Sequence, residues 1–100
     1  MDPRYIIETK VPIKPGKIDQ VLDLFKATNP DLVSNESDWI RASFSSNEED
    51  NLVIVRAEWK NQDSYIKFSS SEKFKTTMSQ FAPFFAGKPE VSITKVLFEM

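Results

Sequence analysis

Few residues in this chain could do chemistry, and most of them are aromatic. Trp59 ends an apolar run in the same alternation phase as Val53, Val55 and Ala57, so all four are expected to point one way. A flat indole there either packs against the next element or lines a pocket and stacks on a flat ligand. Tyr65 and Phe68 are three apart, hence on one side of a helix, and Met78 and Phe81 repeat that spacing further on. If Tyr65 is buried, its hydroxyl needs a partner, and a ligand phenol or carbonyl would serve. Val55 and Ala57 are small, so the layer between sheet and helices is expected to leave a partly apolar cavity bounded by Trp59, Tyr65, Phe68, Met78 and Phe81. The same rings would equally build an ordinary closed core.

Histidine and cysteine are both absent. Imidazole bases, Ser-His-Asp triads, thiolate nucleophiles, disulfides and the commonest metal ligands are therefore excluded. Any chemistry must use carboxylates, Tyr, Lys or a reactive substrate. Asp31, Asp38, Glu48, Glu49 and Asp50 read as solvated loop charge, and no two carboxylates stand at a spacing that demands acid–base work. No metal and no cofactor is expected. Thirteen basic against fifteen acidic residues give a net charge of −2 with the signs interspersed, which lacks the basic stripe of a nucleic-acid binder. No apolar run approaches the ~20 residues of a membrane span. Met1-Asp2-Pro3-Arg4 is not followed by a leader-like apolar segment, so the cytoplasm is the expected location.

These side chains need a scaffold. At 100 residues the chain reads as a single domain over 1–100, and its eight Phe supply the aromatic area of a globular protein. Tyr5 to Ile13 alternates as a half-buried strand, punctuated by Pro15-Gly16. Ile18, Val21, Leu22 and Phe25 then recur at helical spacing with Lys26 outside, and the helix is expected to fade near Asn29-Pro30. Trp39 to Phe44 is a strand with Ile40, Ala42 and Phe44 on one face, followed by a polar hairpin loop over Ser45–Asn51. Leu52 to Trp59 is the most apolar strand. Asn61 caps a short helix, Ser69 with Glu72 fits a capping box, and a second helix presents Phe74, Met78, Phe81 and Phe85. Val91 to Phe98 closes the pattern, with Val96 and Phe98 on the face opposite Val91. The order β-α-β-β-α-β is the α+β, ferredoxin-like arrangement, an antiparallel sheet with helices on one face. Its other face carries Leu52 and Ile54 beside Arg56 and Glu58, a mixture that two copies packed sheet to sheet would cover. A homodimer is expected.

The stretches Val11-Pro12-Ile13-Lys14-Pro15-Gly16-Lys17 and Val53-Ile54-Val55-Arg56-Ala57-Glu58-Trp59-Lys60-Asn61-Gln62-Asp63-Ser64-Tyr65 resemble the antibiotic biosynthesis monooxygenase (ABM) family, as does Ser71-Glu72-Lys73-Phe74. The resemblance implies a dimeric α/β barrel and, for the family's enzymes, oxygenation of aromatic polyketides or quinols without metal or flavin. On this likeness Trp59 and Tyr65 are the catalytic candidates, with Thr9, Val55, Phe68, Met78 and Phe81 binding substrate. Tyr65 matches a family tyrosine. Phe68 stands where quinol-oxidising members carry His, and Met78 where the haem-degrading branch carries its axial His. Thr9 and Val55 stand where members of particular branches carry Asn. Two functions follow: a cofactor-independent monooxygenase acting on an aromatic phenol, quinol or polyketide, or a non-catalytic dimer of the same fold that binds a small apolar molecule.

Overall fold

The structure is a computed structural model that describes residues 3–100; Met1 and Asp2, part of the N-terminal stretch read above, lie outside the described residues. Four strands form one antiparallel sheet in the order β2-β3-β1-β4: β1 Tyr5–Pro12, β2 Trp39–Asn47, β3 Leu52–Trp59 and β4 Glu90–Lys95. The central pair sets the phase of the whole sheet. Ile7 sits opposite Ala57, Thr9 opposite Val55 and Val11 opposite Val53, so strict alternation delivers all six to one face.

That face meets the helices α1 (Ile18–Leu32), α2 (Gln62–Ser69) and α3 (Glu72–Ser79), followed by a 3-10 turn over Ala82–Phe84. Val11, Ile13, Val21, Val53 and Phe81 make the buried cluster where α1 and the segment after α3 close on the sheet. Ile13 bridges Phe85, tying the end of β1 to the chain that follows the 3-10 turn. No helix among the described residues is long and apolar enough to cross a membrane.

Several expectations are corrected in detail. The first helix does not fade at Asn29-Pro30 but runs through Pro30 to Leu32. Pro30 lies in the last turn, where its missing N–H forfeits only the bond to the Lys26 carbonyl, and the Val33 N–H still reaches the Asn29 carbonyl at 3.2 Å. The cap of α3 is Ser71 rather than Ser69: the Phe74 N–H donates to the Ser71 hydroxyl at 3.1 Å, while the Ser69 hydroxyl donates back to the Ile66 carbonyl at 3.1 Å. Phe81 and Phe85 lie beyond the end of α3, because Pro83 turns the chain into the 3-10 segment. β2 runs on to Asn47, so the hairpin turn is shorter than expected and is closed by Asn51 at φ 51, a conformation that Asn tolerates well. β4 ends at Lys95, leaving Leu97 and Phe98 88% and 75% exposed.

The phase of β2 also shifts. Trp39 pairs with Trp59 and Arg41 with Glu58, so Ile40 is an extra residue between them. Such a bulge reverses the side-chain alternation on its two sides. Trp39 thereby joins Ala42 and Phe44 on the helix side, and Ile40 does not.

Candidate functional site

Between sheet and helices lies a cavity of about 1190 Å³ that opens to solvent. Its floor is the middle of the sheet: Thr9 from β1, Val55 and Ala57 from β3, Ala42 from β2. None of these side chains is long enough to reach the helices, which is why the layer stays unfilled there.

Two groups of rings flank this floor. On one side Trp59 meets Tyr65 edge-on, with centroids 5.8 Å apart at 70°, and meets Phe68 at 5.0 Å; Phe68 continues to Phe74 at 5.2 Å. On the other, Phe25 stands 4.6 Å from Phe44 and 4.7 Å from Phe81. Tilted and edge-to-face contacts at these distances are favourable in themselves, so both walls hold their shape without a guest.

The local sequence explains how the first wall is placed. Trp59 is the last residue of β3, and the Lys60 N–H donates to the Asp38 carbonyl at 2.8 Å, closing the strand end. Two residues on, the Asn61 side chain accepts from the N–H groups of Asp63 at 2.8 Å and Ser64 at 3.3 Å, which starts α2 at a fixed angle. The Ser64 hydroxyl donates to the Asp38 carboxylate, fastening the start of α2 to the β2 entry. Tyr65 and Phe68 are thus carried against Trp59 by a helix pinned at its first turn.

All seven residues singled out from the sequence line this one cavity: Thr9, Val55, Trp59, Tyr65, Phe68, Met78 and Phe81. They do not contribute alike. Trp59 and Phe81 are each only 1% exposed, so they build the wall and offer a guest little more than an edge. Thr9, Val55, Tyr65, Phe68 and Met78 are half-buried and present surface. Burial raises the ionisation of the Tyr65 phenol above the ordinary tyrosine value, with the Ser69 hydroxyl offsetting part of that. The phenol is therefore a proton donor at neutral pH.

Sequence reading missed other parts of the wall. Trp39 reaches it only because of the bulge at Ile40. Lys26, Asn29 and Glu36 reach it from the end of α1 and the loop that follows, a segment read as a fading helix and a solvated loop. Among the described residues no three His, Cys, Asp or Glu are grouped to hold a metal.

Comparison with known proteins bears on the fold and the family. The family model described as antibiotic biosynthesis monooxygenase matches residues 4–80. A conserved protein from Methanosarcina mazei Go1 superposes with a TM-score of 0.79 at 19% identity, covering 93% of this chain and 92% of that one. A structure described as an antibiotic biosynthesis monooxygenase gives 0.76 at 16% identity, with 93% and 98% covered. A protein of unknown function from Nitrosomonas europaea gives 0.79 at 13%, with 99% and 94% covered. No curated protein matches the sequence.

Proposed function

Since this chain belongs to the antibiotic biosynthesis monooxygenase family, we propose that its cavity takes a flat, electron-rich phenol or quinol and promotes its reaction with O₂ without a cofactor. The observation that carries this reading is the cavity itself: a floor of small side chains between two walls of rings, with the Tyr65 and Thr9 hydroxyls as polar points on an apolar lining. Such a space suits a planar guest better than a flexible or strongly charged one.

The chemistry belongs largely to the guest. Loss of a proton to solvent at the open mouth of the cavity, from which it is later returned to the leaving oxygen, makes the guest a carbon- or oxygen-centred anion, whose electrons pass to O₂. A C–O bond forms at the carbon carrying the charge, that carbon loses its remaining proton, and the O–O bond breaks. One oxygen stays as a new carbonyl and the other leaves as water. The protein excludes bulk water and holds the ring system still. Tyr65 donates a hydrogen bond to the guest oxygen on which negative charge builds, and Thr9 fixes its other edge. Trp59 acts as a positioning residue, holding Tyr65 and Phe68 in place.

A second reading is favoured by one observation. Phe68 and Met78 place apolar groups at positions where the family resemblance implies His in some branches, and among the described residues the wall's one carboxylate is Glu36. A dimer that binds the same guest without turning it over fits that lining. Guest binding is common to both readings. Titration with a flat naphthohydroquinone or anthrone under argon should quench tryptophan fluorescence saturably at one guest per chain, because Trp39 and Trp59 both line the cavity. Quenching that grows linearly without saturation would remove both.

A further inference from the structure

Apart from the hydroxyls of Thr9, Tyr65 and Ser69, the polar side chains of the cavity wall fall on one short segment, the last turns of α1 and the loop after it, where Lys26, Asn29, Ser34 and Glu36 lie. Lys26 and Asn29 are three apart on α1 and so share one side of it. Among the described residues Lys26 is the only cation in the wall and Glu36 the only carboxylate.

The cation is uncommitted. The ion pairs among the described residues engage Arg4, Lys10, Arg41, Arg56 and Lys73, and Lys26 enters none of them. The Asn29 carboxamide is half-buried and held from behind: its N–H donates to the Thr28 hydroxyl at 3.1 Å, which in turn donates to the Leu24 carbonyl at 2.8 Å. That leaves the second amide hydrogen of Asn29 without a partner among the described residues. Phe25 and Pro30 flank the pair with apolar surface.

We propose that Lys26 and Asn29 form an anion subsite at the mouth of the cavity, which takes a carboxylate or sulfonate carried on one edge of the flat guest. The proposal rests on the cavity reading above and adds the guest's charge to it. Desolvating an anion deep among rings is costly, whereas at the rim it keeps part of its hydration and gains both an ammonium and an amide donor. The rings then lie along the apolar wall with the charged edge outward. Glu36 opposes this by repulsion, so the preference for an anion is set by the difference between the two charges.

The test uses two probes of one shape, naphthalene-2-carboxylate and naphthalene-2-carboxamide, titrated by calorimetry into the full chain. The carboxylate should bind about fivefold tighter, the scale of a partly exposed ion pair, and the advantage should shrink with added salt. Lys26→Met should abolish the advantage while leaving the carboxamide unchanged, Lys26→Arg should keep it, and Glu36→Gln should enlarge it. Equal binding of the two probes to the unaltered chain, or equal weakening of both by Lys26→Met, would overturn the subsite and leave the cavity reading intact. Failure of both probes to bind would overturn the cavity reading and the subsite with it.

Discussion

Tyr65 is the one side chain in the cavity wall that offers both a ring and a phenolic hydroxyl, and its environment decides which protonation state it presents. Burial disfavours the phenolate, so its ionisation lies above the ordinary value of 10.0. The proton is then held more tightly in the folded chain than in the unfolded one. The resulting stability is complete below the unfolded value of about 10 and is lost as pH rises through the higher folded value. An ultraviolet titration should therefore show a phenolate component above the ordinary range, absent from Tyr65→Phe. If the component lost in the variant titrates at or below the ordinary value, Tyr65 is more solvated than the account requires. Trp59 belongs to a different kind of argument. Truncating so buried an indole costs about 3–5 kcal/mol, so activity lost on truncation could not be told from lost folding. That all seven candidate residues line the cavity was legible because side-chain spacing reports which ones share a face. Their unequal exposure was not, because it depends on what packs behind each ring.

At the scale of elements, β3 was read with its observed bounds because it is the most apolar run of the chain, bounded by the polar loop before Leu52 and by Lys60-Asn61 after Trp59. The end of α1 was misjudged because the cost of Pro30 depends on how many turns remain, and the last turn can do without one bond. The bulge at Ile40 is an event of pairing between β2 and β3, which no pattern within β2 announces. Three serines in a row, 69 to 71, hide which one caps α3 until the end of α2 is known. The sheet's open face bears on assembly. Leu52 and Ile54 lie there among the pairs Arg41–Glu58 at 2.9 Å, Arg4–Glu58 at 3.3 Å and Arg56–Glu8 at 3.5 Å. Charges of both signs side by side suit a face that meets its own copy. We therefore expect light scattering to give about twice the 11.5 kDa chain mass. Ile54→Lys should shift the protein toward monomer or aggregate by burying an unpaired charge. A monodisperse monomer in the unaltered protein would contradict sheet-to-sheet pairing.

At the scale of the molecule, one sheet serves two tasks. We expect its open face to form the interface between copies, while its helix-side face leaves a cavity because Thr9, Val55, Ala57 and Ala42 are too small to fill the layer. That a partly apolar space would lie there follows from the sequence pattern; its full extent does not, because the Ile40 bulge and the end of α1 add wall that no spacing announces, and its reactivity does not, because it depends on what the guest can give to O₂. The most direct test of the central claim is oxygen consumption by the purified chain with a bound anthrone or naphthohydroquinone, in the presence of a metal chelator. The account predicts uptake that exceeds spontaneous oxidation, saturates with guest at the concentration where fluorescence quenching saturates, and consumes one O₂ per quinone formed from the anthrone. Saturable binding with uptake no faster than in protein-free buffer would contradict it and leave a binding protein in its place.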